Sequence, residues 1–587
     1  MDPASHAVFL DFVLKSFGNS NSSWEQEFAA WAEQQIALLV SVAQQKRALN
    51  AALPISRLPP EILVEIFIHC QDDRVCRSGS FRASWLSVTW VCHHWRKLAL
   101  GTPLLWSKVY ISRSHKFRDP EAFPTYLARS KQVPLEIDIN LDKQDTLFSD
   151  LENFCFPKLC RARSLSLSLP YDMHQGFFSH IPPSAPLLTS LSLSVQEDPS
   201  IRYGRIAPTP LEYRWVTPSL KKLLIGQYPI NWTRTTLPNT LTFLCVCSDR
   251  PASVDSCSVA DMVRIVGAMP CLEYLKLEEI LAPIHDGIHE ASTSVALPHL
   301  QYAYISSHIH SCLHFLHHFT YPPSADLELF TDFDNMLDIS LLVTPLRAIV
   351  QRADREPALT VVVSPTEMCL FAPETSSPGS PSTSQTRFLS LRVQGPYFSD
   401  DEVLCNILSK LSLHDVSDLR LQGNICHKDE RDGWIQWLRR MPNIKSLVIE
   451  FSEHARDPIS SDFLTLLEPL DPSVRSAHMP HGPDPVVDGT GPPARSGSDS
   501  CLMPLLRTLS VEGIEFREGV SGNEEIWDED SAVLERLHVV LKWRNIVGYG
   551  LETVIIDNCS GLDGEDLEPL RSIVTVEWDG SQEICPW

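Results

Sequence analysis

A short phrase recurs along this sequence and limits what the chain can fold into. A proline is followed two residues later by a leucine, and then by an alternating apolar stretch, in the form P-x-L-x-x-L-x-L. It occurs as Pro157 and Leu159 leading to Leu165 and Leu167, and as Pro186 and Leu188 leading to Leu191 and Leu193. It returns as Pro218 and Leu220 before Leu223 and Ile225, as Pro238 and Leu241 before Leu244 and Val246, and as Pro270 and Leu272 before Leu275 and Leu277. Later copies are Pro298 with Leu300, Pro442 with Ile444 before Leu447 and Ile449, and Pro504 with Leu506 before Leu509 and Val511. Versions without the proline fall at 389–393, 419–423 and 551–559. Proline presets a turn, and strict alternation marks a strand with one buried face. Many intervals are near the roughly 20–29 residues of short structural repeats, though irregular. One strand plus a helix or loop cannot bury its apolar face alone, but stacked units share a continuous core. The phrase therefore predicts an α/β repeat array, a solenoid, over 111–587. The stretches 259–269, 400–411 and 432–441 have helical spacing between strands.

Two stretches interrupt the array. Residues 373–386 and roughly 469–500 are rich in Pro, Ser, Gly and Asp and nearly devoid of bulky apolar side chains. Neither can offset its ordering entropy by burial, so both are expected to be disordered insertions.

The N-terminal part has a different periodicity. In region 1–54, residues 24–50 predict an amphipathic helix. Trp24, Trp31 and Leu38 fall seven apart, Phe28, Val42 and Leu49 fill the alternate positions, and Gln35 and Gln45 are polar lapses. This heptad-like seam is expected to pack on the module that follows, and Pro54 ends it. In 55–110, Leu58-Pro59-Pro60-Glu61-Ile62-Leu63 puts prolines in a first helical turn. Leu58, Ile62, Leu63, Ile66 and Phe67 then recur at helical spacing. After a polar break at 71–80, one helix is expected over 81–100 through Trp85, Val88, Val91, Cys92 and Trp95. Gly101 would end it, and a short helix start follows at Thr102 to Trp106.

Charge narrows the function classes. With 49 Lys and Arg against 73 Asp and Glu, the formal net charge is -24. Such a field repels phosphate backbones and anionic headgroups, which argues against nucleic acid or membrane surfaces as partners. No stretch approaches the roughly 20 apolar residues of a membrane span. The 16 cysteines are scattered, with no Cys-x-x-Cys pair. They read as reduced thiols of a cytoplasmic or nuclear protein, with Cys245 and Cys247 on one face of a strand. Asp2 and Asp11 argue against a secretory signal.

No motif for phosphate binding, a nucleophile elbow, a dinucleotide fold or a zinc protease occurs. The one metal-like group is His308, His310, His314, His317 and His318 with Cys312. Ile309, Leu313, Leu316 and Phe319 recur at helical spacing there, which puts the histidines mostly on the wetter face of a packed helix. Acidic pairs at Asp400–Glu402 and 524–530 lack the spacing of a calcium loop. The expectation is a protein that is not an enzyme and carries no cofactor or metal.

Residues 55–110 resemble an F-box, in particular the F-box-like domains of large protein families in mushroom-forming fungi. The resemblance rests on Ile55 to Leu63, Ile66-Phe67, Val91-Cys92-His93-His94-Trp95-Arg96, Ala99 and Pro103-Leu104-Leu105-Trp106. Residues 419–424, ending in Asn424, are similar to a leucine-rich-repeat strand. The resemblance implies a small all-α F-box-like module followed by a leucine-rich-repeat-like solenoid. It implies docking to the Skp-type adaptor and cullin of an SCF (Skp–cullin–F-box) ubiquitin ligase, with a protein substrate on the solenoid. The partner-binding residues carried over are Leu58, Pro59, Pro60, Ile62, Leu63, Ile66, Phe67, Val91, Cys92, Trp95 and Trp106, some of which such a small module needs for its own core. The alternative is a repeat scaffold in which the N-terminal module only caps the array; Leu58, Ile62 and Phe67 would then be buried against the first repeats.

Overall fold

The structure is a computed structural model. It describes residues 23–72, 84–112, 122–141, 156–170, 173–174, 184–196, 216–228, 230–248, 256–284, 294–332, 346–350, 359–364, 367–373, 385–394, 407–408, 410–411, 413–423, 431–451, 461–468, 501–514, 516 and 533–580. An N-terminal helical segment precedes a mostly parallel β-sheet with helices, an α/β arrangement. The chain divides into two compact units, Met1–Asp198 with Trp215–Ser219, and Pro199–Arg214 with Leu220–Trp587.

The first unit opens with α1 (Ser23–Ala52), followed by α2 (Pro60–Asp72), α3 (Val88–Val91), α4 (His93–Gly101) and the 3-10 turn Pro103–Trp106. The single helix expected over 81–100 is thus two helices with a 3-10 turn, Ser84–Ser87, before them. The break falls at Cys92, which is extended at φ -156 and ψ 167. Its thiol supplies the cap that restarts the helix, Sγ accepting from the Trp95 N–H at 3.5 Å. Helix α1 covers the predicted span, but its large apolar side chains from Phe28 to Leu49, the half-buried Ile36 apart, are exposed. They do not pack on the next module as the periodicity suggested. Helix α5 (Ala122–Arg129) follows β1 (Lys108–Ser112). Strands β2 (Leu135–Asn140), β3 (Ala162–Leu169) and β4 (Ser190–Val195) then add to β1 in order, all parallel. Val109, Ile137, Leu165 and Leu191 meet in one apolar ladder, and Ile111, Ile139, Leu167 and Leu193 in a second.

The second unit continues the pattern with β5 (Lys222–Gly226), β6 (Phe243–Cys247), β7 (Tyr274–Glu278), β9 (Tyr302–Ser306) and β11 (Asp326–Asp332), each parallel to the one before. The minor strands β8 (Val295–Ala296) and β10 (Phe319–Thr320) pair with each other. At the far end run β15 (Asp418–Gln422), β16 (Ser446–Glu450), β17 (Thr508–Glu512), β18 (Thr553–Asp557) and β19 (Thr575–Trp578), again parallel. Helices α6 (Val259–Gly267), α7 (Ile309–His317), α8 (Arg431–Leu438), α9 (Val533–Ile546) and α10 (Glu568–Arg571) lie between strands in the chain. The helices expected at 259–269 and 432–441 are α6 and α8; most of 400–411 and all of 469–500 lie outside the described residues.

The recurrent phrase has a physical basis. The leucine or isoleucine after each turn proline (Leu159, Leu188, Leu220, Leu241, Leu272, Leu300, Ile444 and Leu506) is buried. In several copies its N–H closes a three-residue turn, as in Leu188 to Ala185 O at 3.2 Å and Leu272 to Met269 O at 3.2 Å. The residue after it donates back to the preceding unit: Thr189 to Arg163 O at 2.8 Å, Glu273 to Thr242 O at 2.8 Å and Arg507 to Lys445 O at 2.8 Å. Strand exits also repeat. Gln227, Glu279, Gly423, Gly513 and Asn558 each follow a strand end with positive φ. There the N–H can reach the next strand's last carbonyl, as Gly423 does to Glu450 O at 2.8 Å and Gln227 to Cys247 O at 2.7 Å. At Gly513 a Cβ would stand 3.0 Å from the Phe451 carbonyl oxygen, so both sterics and φ favour glycine there.

The uniform array fails in the middle. Strands β12 (Thr360–Val363), β13 (Glu367–Pro373) and β14 (Gln385–Gln394) are joined by antiparallel pairings, with β14 beside β11 and β12 beside β15. The chain passes over two positions after β11 and fills them on the way back, so β13 runs against the rest. The insertion expected at 373–386 is the connection of the β13–β14 hairpin. Pro373 pairs with Gln385 and Ala372 with Thr386, so its ends are strand. The apolar ladders nonetheless continue unbroken, through Leu329, Leu391, Met368, Val363 and Leu421. Among the described residues no helix is long and apolar enough to cross a membrane.

Candidate functional site

The helical module is built around Pro59. Its carbonyl accepts the N–H groups of Ile62 at 3.1 Å and Leu63 at 3.2 Å, and Pro60 occupies the helical turn where a missing N–H costs nothing. From there the 3.6-residue period separates two faces. Leu63 and Phe67 point inward to a cluster with Trp85, Val88, Ala99, Leu105, Trp106 and Tyr126, and Leu58, Ile66 and Trp95 pack partly against it.

This core is aromatic and tightly specified. Trp85 and Trp106 meet edge to face at 5.1 Å, Trp106 and Tyr126 at 4.8 Å, and Phe67 lies 5.1 Å from Trp95. The Trp106 Nε1–H donates to the Ala99 carbonyl at 2.9 Å, and the Arg129 guanidinium sits 4.5 Å over the Trp106 ring. The Gln71 amide, also buried, donates to Leu105 O at 3.3 Å. Burial pushes the Tyr126 phenol up to about 12, against the opposing pull of Trp85 and Arg129. Tyr126 belongs to α5, so the module recruits part of its core from beyond residue 110.

The eleven residues expected to bind a partner are thereby sorted. Leu63, Phe67 and Trp106 are buried and serve the core rather than a docking surface, because a module this small needs them to fold. Leu58, Ile66, Cys92 and Trp95 are half-buried, with Cys92 acting as the α4 cap. Pro59, Pro60, Ile62 and Val91 are exposed, Ile62 at 48% and Val91 at 58%. The set carried over from the resemblance did not include Trp90, which is 76% exposed, or Leu53, Ile55 and Leu104, which are exposed too. The available signal was the tryptophan itself: Trp90 directly precedes the Val91-Cys92 pair. A continuous helix through 81–100 hid it, since that period gives Trp90 no distinct face.

A second surface is the outer face of the sheet in the second unit. Phe243, Tyr274 and Tyr302 stack across three strands at 4.3 Å and 4.9 Å. The Tyr302 hydroxyl donates to Glu328 at 2.8 Å, and Arg387 bridges Asp326 and Glu328 at 3.0 Å and 3.2 Å. Lys276 pairs with Glu278 at 2.9 Å and lies 4.8 Å over Tyr304, and Arg392 pairs with Glu367 at 2.8 Å. Cys245 and Cys247 share this face of β6, as expected, with their sulfurs 3.6 Å apart.

Of the histidine group, His317 is exposed and His308, His314 and His318 are half-buried, in line with the wetter face expected for them, whereas His310 is buried. In α7, His310, Ser311 and Cys312 are buried along with Ile309, Leu313, Phe315 and Leu316, so the helix is covered on nearly every side. Burial drives His310 toward its neutral form, and Cys312 donates to Ser307 O at 3.5 Å. Among the described residues no group of three or more His, Cys, Asp or Glu is placed to hold a metal ion. The acidic pairs at 400–402 and 524–530 lie outside the described residues.

A comparison with curated proteins returns no match. Residues 55–112 match the F-box-like family, a class of domain that docks Skp-type adaptors.

Proposed function

We propose that the chain is a substrate-recognition adaptor of an SCF-type ubiquitin ligase and has no catalytic activity of its own. The helical module docks the Skp-type adaptor and, through it, the cullin. The sheet forms a leucine-rich-repeat-like solenoid whose outer face receives a protein substrate for ubiquitin-dependent degradation, in the cytoplasm or nucleus. The observation that carries this reading is the module's division of labour. Its core is complete without Ile62 and Val91, which leaves those apolar side chains exposed, as Pro59 and Pro60 are, and free for a partner. The capping alternative required Leu58, Ile62 and Phe67 to be covered by the first repeats. Ile62 is open to solvent, and Leu58 and Phe67 pack within the module's own cluster. The test is co-purification of a Skp-type adaptor and cullin with the intact chain and with a form lacking residues 1–110. Retention by the intact chain alone is the expected result; retention by neither removes the ubiquitin-ligase reading.

A further inference from the structure

Helix α1 is 30 residues long, roughly 45 Å, and its bulky side chains face solvent. Phe28 is 39% exposed, Trp31 55%, Leu38 57%, Val42 38% and Leu49 71%. The less exposed stripe of the same helix carries mostly small or polar side chains, with Ala32 buried and Ile36, Ala43 and Asn50 half-buried. The helix therefore turns its smaller residues inward and its larger ones outward, the reverse of an ordinary packed surface helix.

Most of the bulky exposed residues keep a seven-residue step. Phe28, Val42 and Leu49 form one row with the half-buried Gln35, and Trp31 and Leu38 the other with Gln45, which is the a/d seam of a two-stranded coiled coil. Leu39 and Val40 are exposed beside it. We propose that α1 is the surface through which two copies of this chain pair, as a two-stranded coiled coil.

Self-complementarity identifies the second copy as the occupant. In a parallel in-register pair Gln35 meets Gln35 and Gln45 meets Gln45, so each seam amide has an amide opposite it and every apolar seam residue meets its own kind. An antiparallel pair with Trp31 opposite Leu49 matches the amides as well, Gln35 against Gln45, so self-pairing satisfies the seam in either direction. A single polar seam position is also the known device for fixing register and strand number. No charged residue occupies the described seam, and the flanking Glu27 and Lys46 face no like charge across a parallel pair. The area suffices only when both partners supply it. With full areas of about 150–250 Å² for such side chains, five seam residues at these exposures offer on the order of 500 Å² per copy, near the lower bound of a specific interface when doubled. A pair so formed holds two helical modules and two sheet faces in one particle, which raises avidity for a partner with two contact points.

Sedimentation equilibrium of the full chain tests this. At about 10–50 μM, well above a micromolar dissociation constant, the expected mass is twice the 66.0 kDa of the chain. Trp31→Glu/Leu38→Glu should return it to a single chain. A wild-type chain that stays at 66.0 kDa, as when another helix or the chain's own N-terminal segment covers the seam, overturns the proposal, as does a dimer that survives the double substitution. Orientation is read from Gln35→Cys under mild oxidation. A covalent dimer absent from the wild type marks the parallel register, and a dimer that fails to cross-link is antiparallel.

Discussion

Two neighbouring residues of α2 carry opposite roles, and substituting each tests the core-and-surface division directly. Ile62 and Leu63 are both β- or γ-branched aliphatics of equal size, about 100° apart around the helix. Leu63 is fully buried among Phe67, Trp85, Leu105 and Trp106, whereas Ile62 is half exposed. Leu63→Ala removes the transfer free energy of the lost carbons and leaves a cavity in an aromatic cluster that cannot collapse around it, a loss of about 3 kcal/mol or more. Ile62→Ala forfeits only the covered half of its side chain and leaves no enclosed void, about 1 kcal/mol or less. Because a chain of two units need not unfold in one step, the suitable assay is amide hydrogen exchange, which reads the local opening free energy. The slowest amides of α2 and α4 should exchange roughly 100-fold faster in Leu63→Ala and less than about 5-fold faster in Ile62→Ala. Equal acceleration by the two, or a larger effect at Ile62, would refute the assignment of Leu63 to the core.

Other expectations follow from buried polar groups. His174 is fully buried, its Nε2 paired with Ser194 O at 3.0 Å, and burial lowers its pKa from 6.5 to about 4. The neutral ring is the folded form, so this contribution is complete above pH 6.5 and is lost as pH falls from 6.5 to 4, about 3 kcal/mol in all. His174→Asn should flatten that part of the acid-denaturation profile of the first unit, and an unchanged slope would count against it. Arg544 is buried with no carboxylate partner among the described residues, its guanidinium donating to Leu502 O, Met503 O and Tyr549 O at 3.2 Å, 2.9 Å and 3.3 Å and to Cys501 Sγ at 3.1 Å. A lysine cannot span that set of acceptors, so Arg544→Lys should cost about 2–4 kcal/mol in urea unfolding of the second unit; a neutral substitution would show that the fork is dispensable.

The parts of this fold written in local chemistry were legible in the sequence. Each full proline phrase precedes a strand because proline fixes the turn and the next leucine must be buried for the units to stack, as Leu188, Leu272 and Leu506 show. The antiparallel excursion of β12, β13 and β14 was not legible. Val361 and Val363 carry no turn proline, and their partners Leu419 and Leu421 lie more than fifty residues away, so only tertiary pairing places them. The left-handed strand exits were hidden as well, since Gln227, Glu279 and Asn558 are not glycine. In the module, periodicity located the helices but could not tell Ile62 from Leu63, because docking and core packing use the same apolar spacing. It also ran through Cys92, where a thiol cap divides what reads as one helix. In α1 the heptad was plain, but a seam does not say what it packs against.

The central claim is that the exposed residues of the helical module dock a Skp-type adaptor. Its most direct test is a calorimetric titration of purified adaptor into the intact chain and into Ile62→Asp/Val91→Asp. Saturable one-to-one binding in the micromolar range or tighter is expected for the intact chain. Weakening of about 30-fold or more is expected in the variant, with the far-ultraviolet circular dichroism unchanged. Binding that is absent from the intact chain, or undiminished in the variant, would contradict it.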